Sequence, residues 1–505
     1  MTNLKRLPIL ILLLAGGFFL ASSMDKPKND PPGKYEKILQ YITEMLKEGH
    51  YSPKTIDDDF SKKIFIKYFE NLDPNKNFFL QEDLVALKKY ETKIDDEMKG
   101  APVEFFIAAG NAFNKRMEEA EIIYKEILAQ PFVFTIEESI VADPDKIQYS
   151  STLTERKEQW RKWLKYQTLD RYVDLLDIRE KNKDSKDFVI KTDTELEKEA
   201  REKVIKVMER TFERYKFKFS EEDKFNVFAR TITNAMDPHT EFFPPVDKRY
   251  FDEQMSGRFS GIGASLIYDE GNIKINTLLA GSPAWKSGEV QVGDVITKVA
   301  QGKEEPVELT GFIVEDAVKL IRGKKGTEIK LTLKKQDGNL KTISLIRDEI
   351  VQDETFARSA IVQNGNAKLG YIFLPEFYAD FDRPDGSRCY IDVANEIKKL
   401  KEEKVDGIIM DLRNNGGGSL YDVVQMVGLF IERGPVVQVK DRDGKPNILE
   451  DKNREVMYDG PLAVMVNEFS ASASEIFAAA IQDYGRGVPI CVICANTFAF
   501  LRVAP

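Results

Sequence analysis

Apolar positions follow helical spacing over the first half of the chain. After Lys34 they recur at three- and four-residue intervals, at Tyr35, Ile38, Leu39, Ile42 and Leu46. The segments 108–128 and 155–179 are longer, highly charged and striped in the same way. Because such a stripe covers one face of a helix, the pattern predicts a mostly helical region from residue 34 to about residue 246. Trp160 and Trp163 lie on one of these helices, and we interpret them as packing residues rather than as a ligand site.

The pattern changes near residue 249, where short apolar runs alternate with glycine-containing turns. Strands are predicted over 263–268, 272–278 and 328–334, and a helix over 314–321. It changes again near residue 350, with a predicted strand over 367–374, a helix over 391–400 and a strand over 407–412. Strands that alternate with helices indicate an α/β core. The chain is therefore predicted to be a multidomain α+β protein with a helical domain, a β-rich module and an α/β core.

The composition is that of a large globular protein. Of the 505 residues, 42% are hydrophobic and 31% are charged, which is enough for several domains with cores of their own. The net charge of −10 argues against nucleic acid as a partner.

A serine-rich turn directly precedes a predicted helix near the end of the chain. The segment Asn-Glu-Phe-Ser-Ala-Ser-Ala-Ser-Glu occupies residues 467–475, and a helical run follows over 476–484. A helix N-terminus offers unpaired backbone N–H groups, so a serine there can attack a carbonyl while the amides stabilise the oxyanion. The alternative is an ordinary helix cap with extra serines, since serine is among the commonest N-caps.

A glycine turn at residues 413–419 favours the catalytic interpretation. A predicted buried strand over 405–412 runs into Arg-Asn-Asn-Gly-Gly-Gly-Ser. Three consecutive glycines allow the backbone to approach a ligand closely and to supply oxyanion donors. A plain connection to a helix needs one glycine and seldom three.

Together these motifs resemble those of the C-terminal-processing peptidases, the tail-specific serine proteases of bacterial envelopes. The family signatures are a D-L-R-x-N-x-G-G turn and an S-A-S-A-S-E-I segment. The resemblance extends in order to Gly-His-Tyr-Ser-Pro at 49–53, Leu-Asp-Pro at 72–74, Asp-Pro-His-Thr at 237–240 and Phe-Ser-Gly-Ile-Gly at 259–263. It implies a signal peptide at 1–23, a helical domain at 24–246, a PDZ-like peptide-binding domain at 247–348, and a crotonase-like peptidase core at 349–505 that is incomplete at its C-terminus.

The resemblance implies roles for residues in the peptidase core. The nucleophile is Ser472, with Ser470 and Ser474 as framework, and the oxyanion hole is formed by the backbone N–H groups of Ala473 and Gly417. Asp483 is grouped with the catalytic residues in some relatives. Its place eleven residues along a helix from Ser472 corresponds to roughly 16 Å, so the two cannot touch, and a structural carboxylate is at least as good an interpretation.

The resemblance also implies how peptides are bound. The PDZ-like module is expected to hold a peptide's C-terminal carboxylate at a loop made of Phe259, Ser260, Gly261, Ile262 and Gly263, with Leu266 and Val318 beside the last side chain. The implied substrates are proteins or peptides with nonpolar C-termini, and a lipoprotein adaptor is a further partner to consider. We expect no cofactor and no metal. A peptide-binding module that serves only as a hinge or spacer is the alternative.

The first 23 residues have the composition of a secretory signal peptide. Lys5 and Arg6 precede an apolar run over residues 9–20, and small residues follow at 21–23. The apolar run is short for a membrane span, so membrane contact is expected only through this segment if it stays uncleaved. Export predicts the bacterial periplasm as the compartment.

The chain departs from the family after Val488. Relatives place a lysine about two dozen residues after the nucleophile, where burial lowers its pKa so that it can act as the general base. No lysine follows Lys452 in this sequence, and Thr497 stands at the expected spacing, or Phe500 if a short insertion is allowed. A frameshift or premature end near Pro489 is one explanation, and a pseudopeptidase that keeps its peptide-binding surfaces is the other. With either explanation the chain as written is expected to be inactive.

The cysteines carry little information about function. Cys491 and Cys494 form a C-x-x-C pair, but one pair without a second is a weak metal or redox signal, so we interpret it as accidental. Only Cys389 lies in the well-matched region, so no disulfide framework is expected to hold the fold.

Overall fold

The computed structural model describes residues 33–184, 189–218, 220–269, 272–309, 312–351, 353–383, 385–440 and 442–491. The chain divides into two compact units, the first made of Met1–Arg201 and Phe219–Phe242 and the second of Glu202–Lys218 and Phe243–Pro505. The predicted signal peptide, Cys494, Thr497 and Phe500 lie outside the described residues. Within the described ranges, no helix combines the length and the apolar character needed to cross a membrane.

The first unit is helical, as the apolar periodicity predicted. Its helices are α1 (Lys34–Gly49), α2 (Asp58–Leu72), α3 (Gln81–Leu87), α4 (Ile94–Met98), α5 (Phe105–Leu128), α6 (Leu153–Asn182), the first part of α7 (Asp193–Lys218), and α8 (Glu221–Met236). The side chains of Asp57, Thr152 and Ser220 cap α2, α6 and α8, because each accepts a hydrogen bond from a backbone N–H in the first turn.

Aromatic rings form the core of this unit. Phe105 on α5 lies 5.3 Å from Phe65, 5.4 Å from Tyr68 and 5.8 Å from Phe228 between ring centroids. These four rings come from α5, α2 and α8 and are nearly or fully buried. Burial of rings of this size dominates core energetics, so the cluster holds the three helices together.

Two polar contacts explain residues that stood out in the sequence. Trp160 is buried, packs edge-on against Trp163 at 5.6 Å, and donates its indole N–H to the carbonyl O of Asn77 at 2.9 Å. His50 Nε2 lies 2.6 Å from Asp237 Oδ2, which joins the end of α1 to the end of α8. The tryptophans therefore pack, and the two short motifs that contain His50 and Asp237 meet in one structural contact.

The β-rich module of the second unit is one antiparallel sheet with two short helices. Its elements are β2 (Ala264–Asp269), β3 (Asn272–Leu278), α10 (Pro283–Ser287), β4 (Val295–Gln301), β5 (Val307–Glu308), α11 (Val314–Ile321), β6 (Glu328–Lys334) and β7 (Leu340–Ile346). The strand order is β2-β3-β4-β6-β7, and β5 pairs with β4. Ile273, Ile275, Ile296 and Leu331 fill its core. β2 is an edge strand, so among the described residues only one of its sides is paired.

The α/β core is a five-stranded sheet covered by helices. Its strands are β9 (Arg358–Asn364), β10 (Ala367–Phe373), β11 (Gly407–Asp411), β14 (Leu462–Val466) and β15 (Val488–Cys491), and its helices are α12 (Cys389–Glu402), α13 (Leu420–Val427) and α14 (Ala473–Asp483). The order is β15-β14-β11-β10-β9, with β9 alone antiparallel, and β12 (Gly434–Lys440) and β13 (Pro446–Asp451) form a separate hairpin. The carboxyl ends of β10, β11 and β14 lie at one edge, where α/β proteins place their sites.

The segments that lead into and out of the β-rich module pair with each other. α9 (Pro245–Ser256) leads into β1 (Arg258–Gly261), which pairs antiparallel with β8 (Asp348–Val351). Residues 202–218 of α7 also belong to this unit: Arg210 Nη1 donates to Tyr268 Oη of β2 at 2.9 Å, and Arg214 Nε lies 3.4 Å from Asp316 Oδ2 of α11. The sequence pattern had grouped this half of α7 with the helical domain.

Candidate active site

Ser472 lies at the N-terminus of α14 in a backbone conformation that serine rarely adopts. Its φ is 54° and its ψ is −115°, and such a conformation costs on the order of 1–3 kcal/mol. The Glu475 carboxylate accepts the Ser472 N–H at 2.7 Å and so helps to hold the turn. The residue is exposed, so a substrate can reach its hydroxyl. A strained, exposed serine between a strand and a helix is typical of a nucleophile.

The neighbouring serines bind this turn to the glycine turn. Ser470 Oγ donates to the carbonyl O of Leu412 at 2.8 Å, and Ser474 Oγ donates to the carbonyl O of Asn415 at 2.9 Å. Both acceptors lie in the connection that follows β11. The framework role expected for the two serines agrees with these hydrogen bonds.

Asn415 joins the glycine turn to β10 and to the nucleophile segment. Its side chain is fully buried, and Nδ2 donates to the carbonyl O of Leu374 at 2.9 Å while Oδ1 accepts the Gly417 N–H at 2.9 Å. Its own carbonyl O accepts the N–H of Ala471 at 3.1 Å in addition to the Ser474 hydroxyl. Sequence reasoning gave this residue no role, although its fixed place in the D-L-R-x-N-x-G-G signature was a signal.

The second and third glycines of the turn approach neighbours that a larger residue would not. A Cβ atom on Gly417, whose φ is 111°, would lie 2.7 Å from the Cβ of Ser472 and 3.1 Å from the backbone N of Ala473. A Cβ atom on Gly418, whose φ is 136°, would lie 2.3 Å from the carbonyl O of Phe377. The structure therefore brings together Ser472, Ala473 and Gly417, the three residues predicted to act on the scissile carbonyl.

The two predicted oxyanion donors are in different states. Within the described part of the chain, the N–H of Ala473 at the start of α14 has no hydrogen-bond acceptor. The N–H of Gly417 instead donates to Asn415 Oδ1. In this conformation one of the two predicted donors is available and the other is occupied.

Buried acidic residues anchor both ends of the glycine turn. Burial alone would raise the pKa of Asp411 at the end of β11, but hydrogen bonds from Arg413 and Tyr371 hold that pKa below its usual value. Asp422 in the first turn of α13 is fully buried, and its two carboxylate oxygens accept hydrogen bonds from Arg388 at 3.0 and 2.6 Å. Both carboxylates are thus compensated by an arginine, as buried charges need to be.

The described residues supply no general base for Ser472. No lysine or histidine among them is hydrogen-bonded to its hydroxyl. Asp483 is exposed and is the last residue of α14, whereas Ser472 caps the first turn, so the length of the helix separates them as predicted. Thr497, at the family spacing for the lysine, lies outside the described residues. Cys491 is disulfide-bonded, which the sequence interpretation did not foresee.

The predicted carboxylate loop is shorter in the structure. Phe259, Ser260 and Gly261 lie in β1 and pair with β8, so only Ile262 and Gly263 remain between β1 and β2. This corrects the prediction that all five residues form a loop. The pairing joins two segments that flank the whole β-rich module, and a local pattern cannot reveal such a contact.

β2 and α11 lie side by side next to this loop. Leu266 on β2 and Val318 on α11 are both half-buried, at the positions expected to line a side-chain pocket. Arg322 directly follows α11 and places its guanidinium 3.8 Å from the centroid of the Phe259 ring, with a carboxylate of Glu253 at 3.0 Å. The C-terminal end of α11 therefore lies beside β1 and α9.

The chain matches three protein families in sequence order. Residues 42–246 match the Tail specific protease N-terminal domain, residues 251–334 match the PDZ domain, and residues 368–496 match Peptidase family S41. These three segments correspond to the helical region, the β-rich module and the α/β core.

Curated relatives carry related descriptions. The chain is 32% identical to the Tail-specific protease of Haemophilus influenzae over 458 residues, which cover 90% of this chain and 61% of that protein. It is 28% identical to the Probable CtpA-like serine protease of Staphylococcus aureus over 274 residues, which cover 54% of this chain and 51% of that protein. The chain thus spans less than two thirds of the length of either relative.

Two solved structures are similar to parts of the chain. One is the photosystem II D1 C-terminal processing protease, with 23% identity and a TM-score of 0.29, covering 55% of this chain and 73% of that chain. The other is the PDZ domain of a carboxy-terminal protease from Vibrio cholerae in complex with peptide, with 34% identity and a TM-score of 0.18, covering 19% of this chain and 99% of that chain.

A helical domain, a PDZ domain and a segment that matches Peptidase family S41, with a serine at a helix N-terminus, give the chain the domain architecture of PDZ-containing serine peptidases. Within this class, the three family matches in sequence order and the 32% identity over 90% of the chain make the chain similar to the tail-specific proteases. In sequence order the chain contains a segment that matches the Tail specific protease N-terminal domain, a PDZ domain and a segment that matches Peptidase family S41, and the fold expected from the resemblance is confirmed.

Proposed function

We propose that this protein is a serine endopeptidase that binds the C-terminal tails of proteins through its PDZ domain and cleaves peptide bonds through Ser472. The proposal is carried by one contact, in which Gly417 lies so close to Ser472 that a Cβ atom on the glycine would stand 2.7 Å from the serine Cβ. The contact brings Ser472, the Ala473 N–H and the backbone of Gly417 close together, which supports a role in acyl transfer.

The proposed reaction has two steps. Ser472 Oγ attacks the carbonyl carbon of the peptide bond and its proton passes to a base, so that the carbonyl oxygen becomes an oxyanion next to the Ala473 N–H. The C–N bond then breaks, the amine leaves with a proton, and the acyl group remains on Ser472 as an ester. Water attacks the ester, releases the carboxylic acid and returns the proton to the serine.

The base for this reaction is not identified among the described residues. The resemblance implies a lysine about two dozen residues after Ser472, and Thr497 stands at that spacing in this sequence. Without a base the serine hydroxyl is a poor nucleophile at neutral pH. We therefore expect this polypeptide to hydrolyse peptides far more slowly than a relative that carries the lysine.

For the PDZ domain we propose binding by strand addition. A peptide pairs with the open side of β2, and its C-terminal carboxylate accepts hydrogen bonds from backbone N–H groups at Ile262 and Gly263. The half-buried side chains of Leu266 and Val318 offer an apolar place for the last residue, which favours nonpolar tails. A lipoprotein adaptor would be an additional partner. We also propose that residues 1–23 direct export to the periplasm.

A noncatalytic peptide binder on the same scaffold is the second candidate function. The observation that favours it is the absence of lysine after Lys452, combined with an intact edge strand in the PDZ domain. Sequencing the coding DNA beyond the codon of Gly485 separates the explanations: a neighbouring frame that reads Gly-Lys-Gly indicates a frameshift, whereas the same reading again indicates a pseudopeptidase.

Covalent labelling tests the nucleophile directly. A fluorophosphonate forms a P–O bond with an activated serine and releases fluoride, and the adduct is located by mass spectrometry. Labelling at Ser472 that is abolished in Ser472→Ala and retained in Glu468→Gln, a change in the same segment that leaves the serine in place, would show that the serine retains nucleophilic reactivity. No labelling of the folded protein would exclude a reactive serine and would favour the binding function.

A further inference from the structure

The Gly417 N–H is withheld from the oxyanion hole by a specific partner. Asn415 Oδ1 accepts this N–H at 2.9 Å, while a Cβ atom on Gly417 would lie 2.7 Å from the Cβ of Ser472 and 3.1 Å from the Ala473 N. The predicted donor therefore belongs to a residue beside the nucleophile but is already hydrogen-bonded to Asn415. An oxyanion on a substrate carbonyl would have to compete with the amide oxygen of Asn415 for the same hydrogen.

Asn415 itself has little freedom to move away. Its side chain is fully buried, and its Nδ2 is held by the carbonyl O of Leu374 at 2.9 Å. Its backbone N–H donates to Leu412, and its carbonyl accepts hydrogen bonds from Ala471 and Ser474. Rotation of the side chain would break the contact to Leu374 without a new partner, and unpaired buried polar groups are costly.

The peptide that carries the donor lies between two glycines. A Cβ atom on Gly416 would have no atom within 4 Å, and Gly417 has a φ of 111°. Turning the peptide between Gly416 and Gly417 by half a turn would bring the φ of Gly417 to roughly −70°, an ordinary value. The mobile part of the contact is therefore the glycine peptide, and the fixed part is the asparagine.

We propose that Asn415 is a positioning residue that withholds the second oxyanion donor, and that the hole is completed only when the Gly416–Gly417 peptide turns away from Asn415 Oδ1. The inference rests on the proposed function, because it assumes that Ser472 attacks a carbonyl. In the conformation observed, the Ala473 N–H acts alone. The loss of one such donor lowers the rate of the chemical step by roughly 10²–10³.

The kinetic test uses an aspartate at position 415 in the full-length protein. Asn415→Asp keeps the acceptor for Gly417 and adds a negative charge, so it holds the N–H more strongly and repels an oxyanion. We expect the maximal rate of fluorophosphonate labelling at Ser472 to fall at least about tenfold, with the reagent concentration for half-maximal rate unchanged. If Asn415 only supported the fold, Asn415→Asp, which also loses the Nδ2 hydrogen bond to Leu374, would change both the maximal rate and the reagent concentration for half-maximal rate.

Asn414→Asp is the matched control. It introduces the same charge one residue earlier, where the exposed Asn414 Oδ1 accepts a hydrogen bond from Asn467 that an aspartate can also accept. We expect its labelling rate to stay within about threefold of the unsubstituted protein, since the charge does not touch the Gly417 N–H. Equal rates for Asn415→Asp and Asn414→Asp would overturn the proposal.

Amide hydrogen exchange tests the proposal even if the serine is unreactive. In the unsubstituted protein the Gly417 N–H is expected to exchange slowly, and in Asn415→Ala it is expected to exchange at least about tenfold faster, with the Ser419 N–H unchanged. Fast exchange at Gly417 in the unsubstituted protein would overturn the proposal, and that single measurement is enough if Asn415→Ala does not fold. Failure of all labelling at Ser472, by contrast, would count against the proposed nucleophile alone.

Discussion

Gly417 and Ser472 are packed so closely that the glycine has no room for a side chain: an added Cβ atom would stand 2.7 Å from the Cβ of Ser472. The same glycine has a φ of 111°, which residues with a Cβ atom rarely adopt. Backbone strain and overlap therefore act together at this position. The nucleophile and the glycine turn are consequently one packed unit rather than two neighbouring loops.

This contact predicts a difference between two adjacent alanine substitutions. Gly417→Ala should lower the free energy of unfolding by at least about 2 kcal/mol, because it adds strain and overlap. Gly416→Ala should change it by no more than about 1 kcal/mol, since no atom lies within 4 Å of the added Cβ atom. Urea unfolding followed by fluorescence measures both. Equal destabilisation by the two variants would contradict the close packing of Gly417 against Ser472.

A second pair of glycines separates crowding from backbone strain in the PDZ domain. Gly263 and Gly281 have similar φ values of 72° and 81°, but an added Cβ atom would lie 2.1 Å from the Ser282 Cβ at Gly263 and would meet nothing within 4 Å at Gly281. Both alanine variants therefore have the same backbone strain from a positive φ. Only Gly263→Ala also overlaps with Ser282, so only this variant must displace the loop between β1 and β2.

We expect Gly263→Ala to weaken binding of a fluorescent peptide with a nonpolar C-terminus by at least about tenfold, because the displaced loop would lose its hydrogen bonds to the peptide carboxylate. Gly281→Ala should bind the peptide like the unsubstituted protein. Fluorescence anisotropy measures both affinities. If the two variants bind equally well, the loop at Ile262 and Gly263 does not hold the carboxylate.

Local sequence patterns predicted the parts of the fold that depend on short-range spacing. The apolar stripe after Lys34 became α1, the run from residue 405 became β11, and the serine-rich segment capped α14. Each of these elements needs only one buried face or one cap, which a window of ten to twenty residues reveals. Local patterns also placed Gly417 after a strand and Ser472 and Ala473 at the start of a helix. These three residues, expected around the scissile carbonyl, are adjacent because both segments lie at one edge of the sheet.

The features that the sequence did not predict are long-range contacts. Phe259 to Gly261 were assigned to a loop because the partner strand β8 lies beyond the whole PDZ domain. The hydrogen bond between Asn415 Oδ1 and the Gly417 N–H is the exception, because it joins residues only two positions apart and depends on a backbone rotation that residue types do not specify. Periodicity also assigned α7 to one domain, although Arg210 and Arg214 contact β2 and α11. Such contacts require three-dimensional information because their partners are distant in sequence.

Two ion pairs at α12, one with a buried carboxylate and one at the surface, test how strongly burial increases the contribution of an ion pair to stability. Arg388 is bound to Asp422, which is fully buried, whereas Lys399 is bound to Glu396 at the surface with a lysine side chain that is 66% exposed. Arg388→Ala would leave the Asp422 carboxylate buried without its cation, so we expect a loss of about 3–5 kcal/mol in the free energy of unfolding. Lys399→Ala should cost no more than about 1 kcal/mol. Comparable losses, measured by urea unfolding, would show that the Asp422 carboxylate is not sealed from water.

Glu97 in the helical unit predicts a pH dependence of stability. Burial raises its pKa to about 7 from an ordinary value of 4.5, although backbone N–H groups of Glu104 and Phe105 donate to its Oε1 at 3.0 and 2.9 Å. The folded state therefore keeps a proton that the unfolded chain releases. Below pH 4.5 both states are protonated and nothing is lost. As the pH rises from 4.5 to 7 the folded state loses stability, by a total on the order of 3 kcal/mol.

Glu97→Gln isolates this contribution because glutamine keeps the acceptor for both N–H groups and cannot ionise. We expect the variant to match the unsubstituted protein at pH 4.5 and to be more stable at pH 8, with the difference growing mainly between these values. Glu104→Gln is the control, since it makes the same substitution at an exposed residue of the same segment. Thermal unfolding at half-unit pH steps gives the comparison. A constant difference between Glu97→Gln and the unsubstituted protein across this range would mean that Glu97 is already ionised in the folded state at pH 4.5, and burial would then not control its protonation.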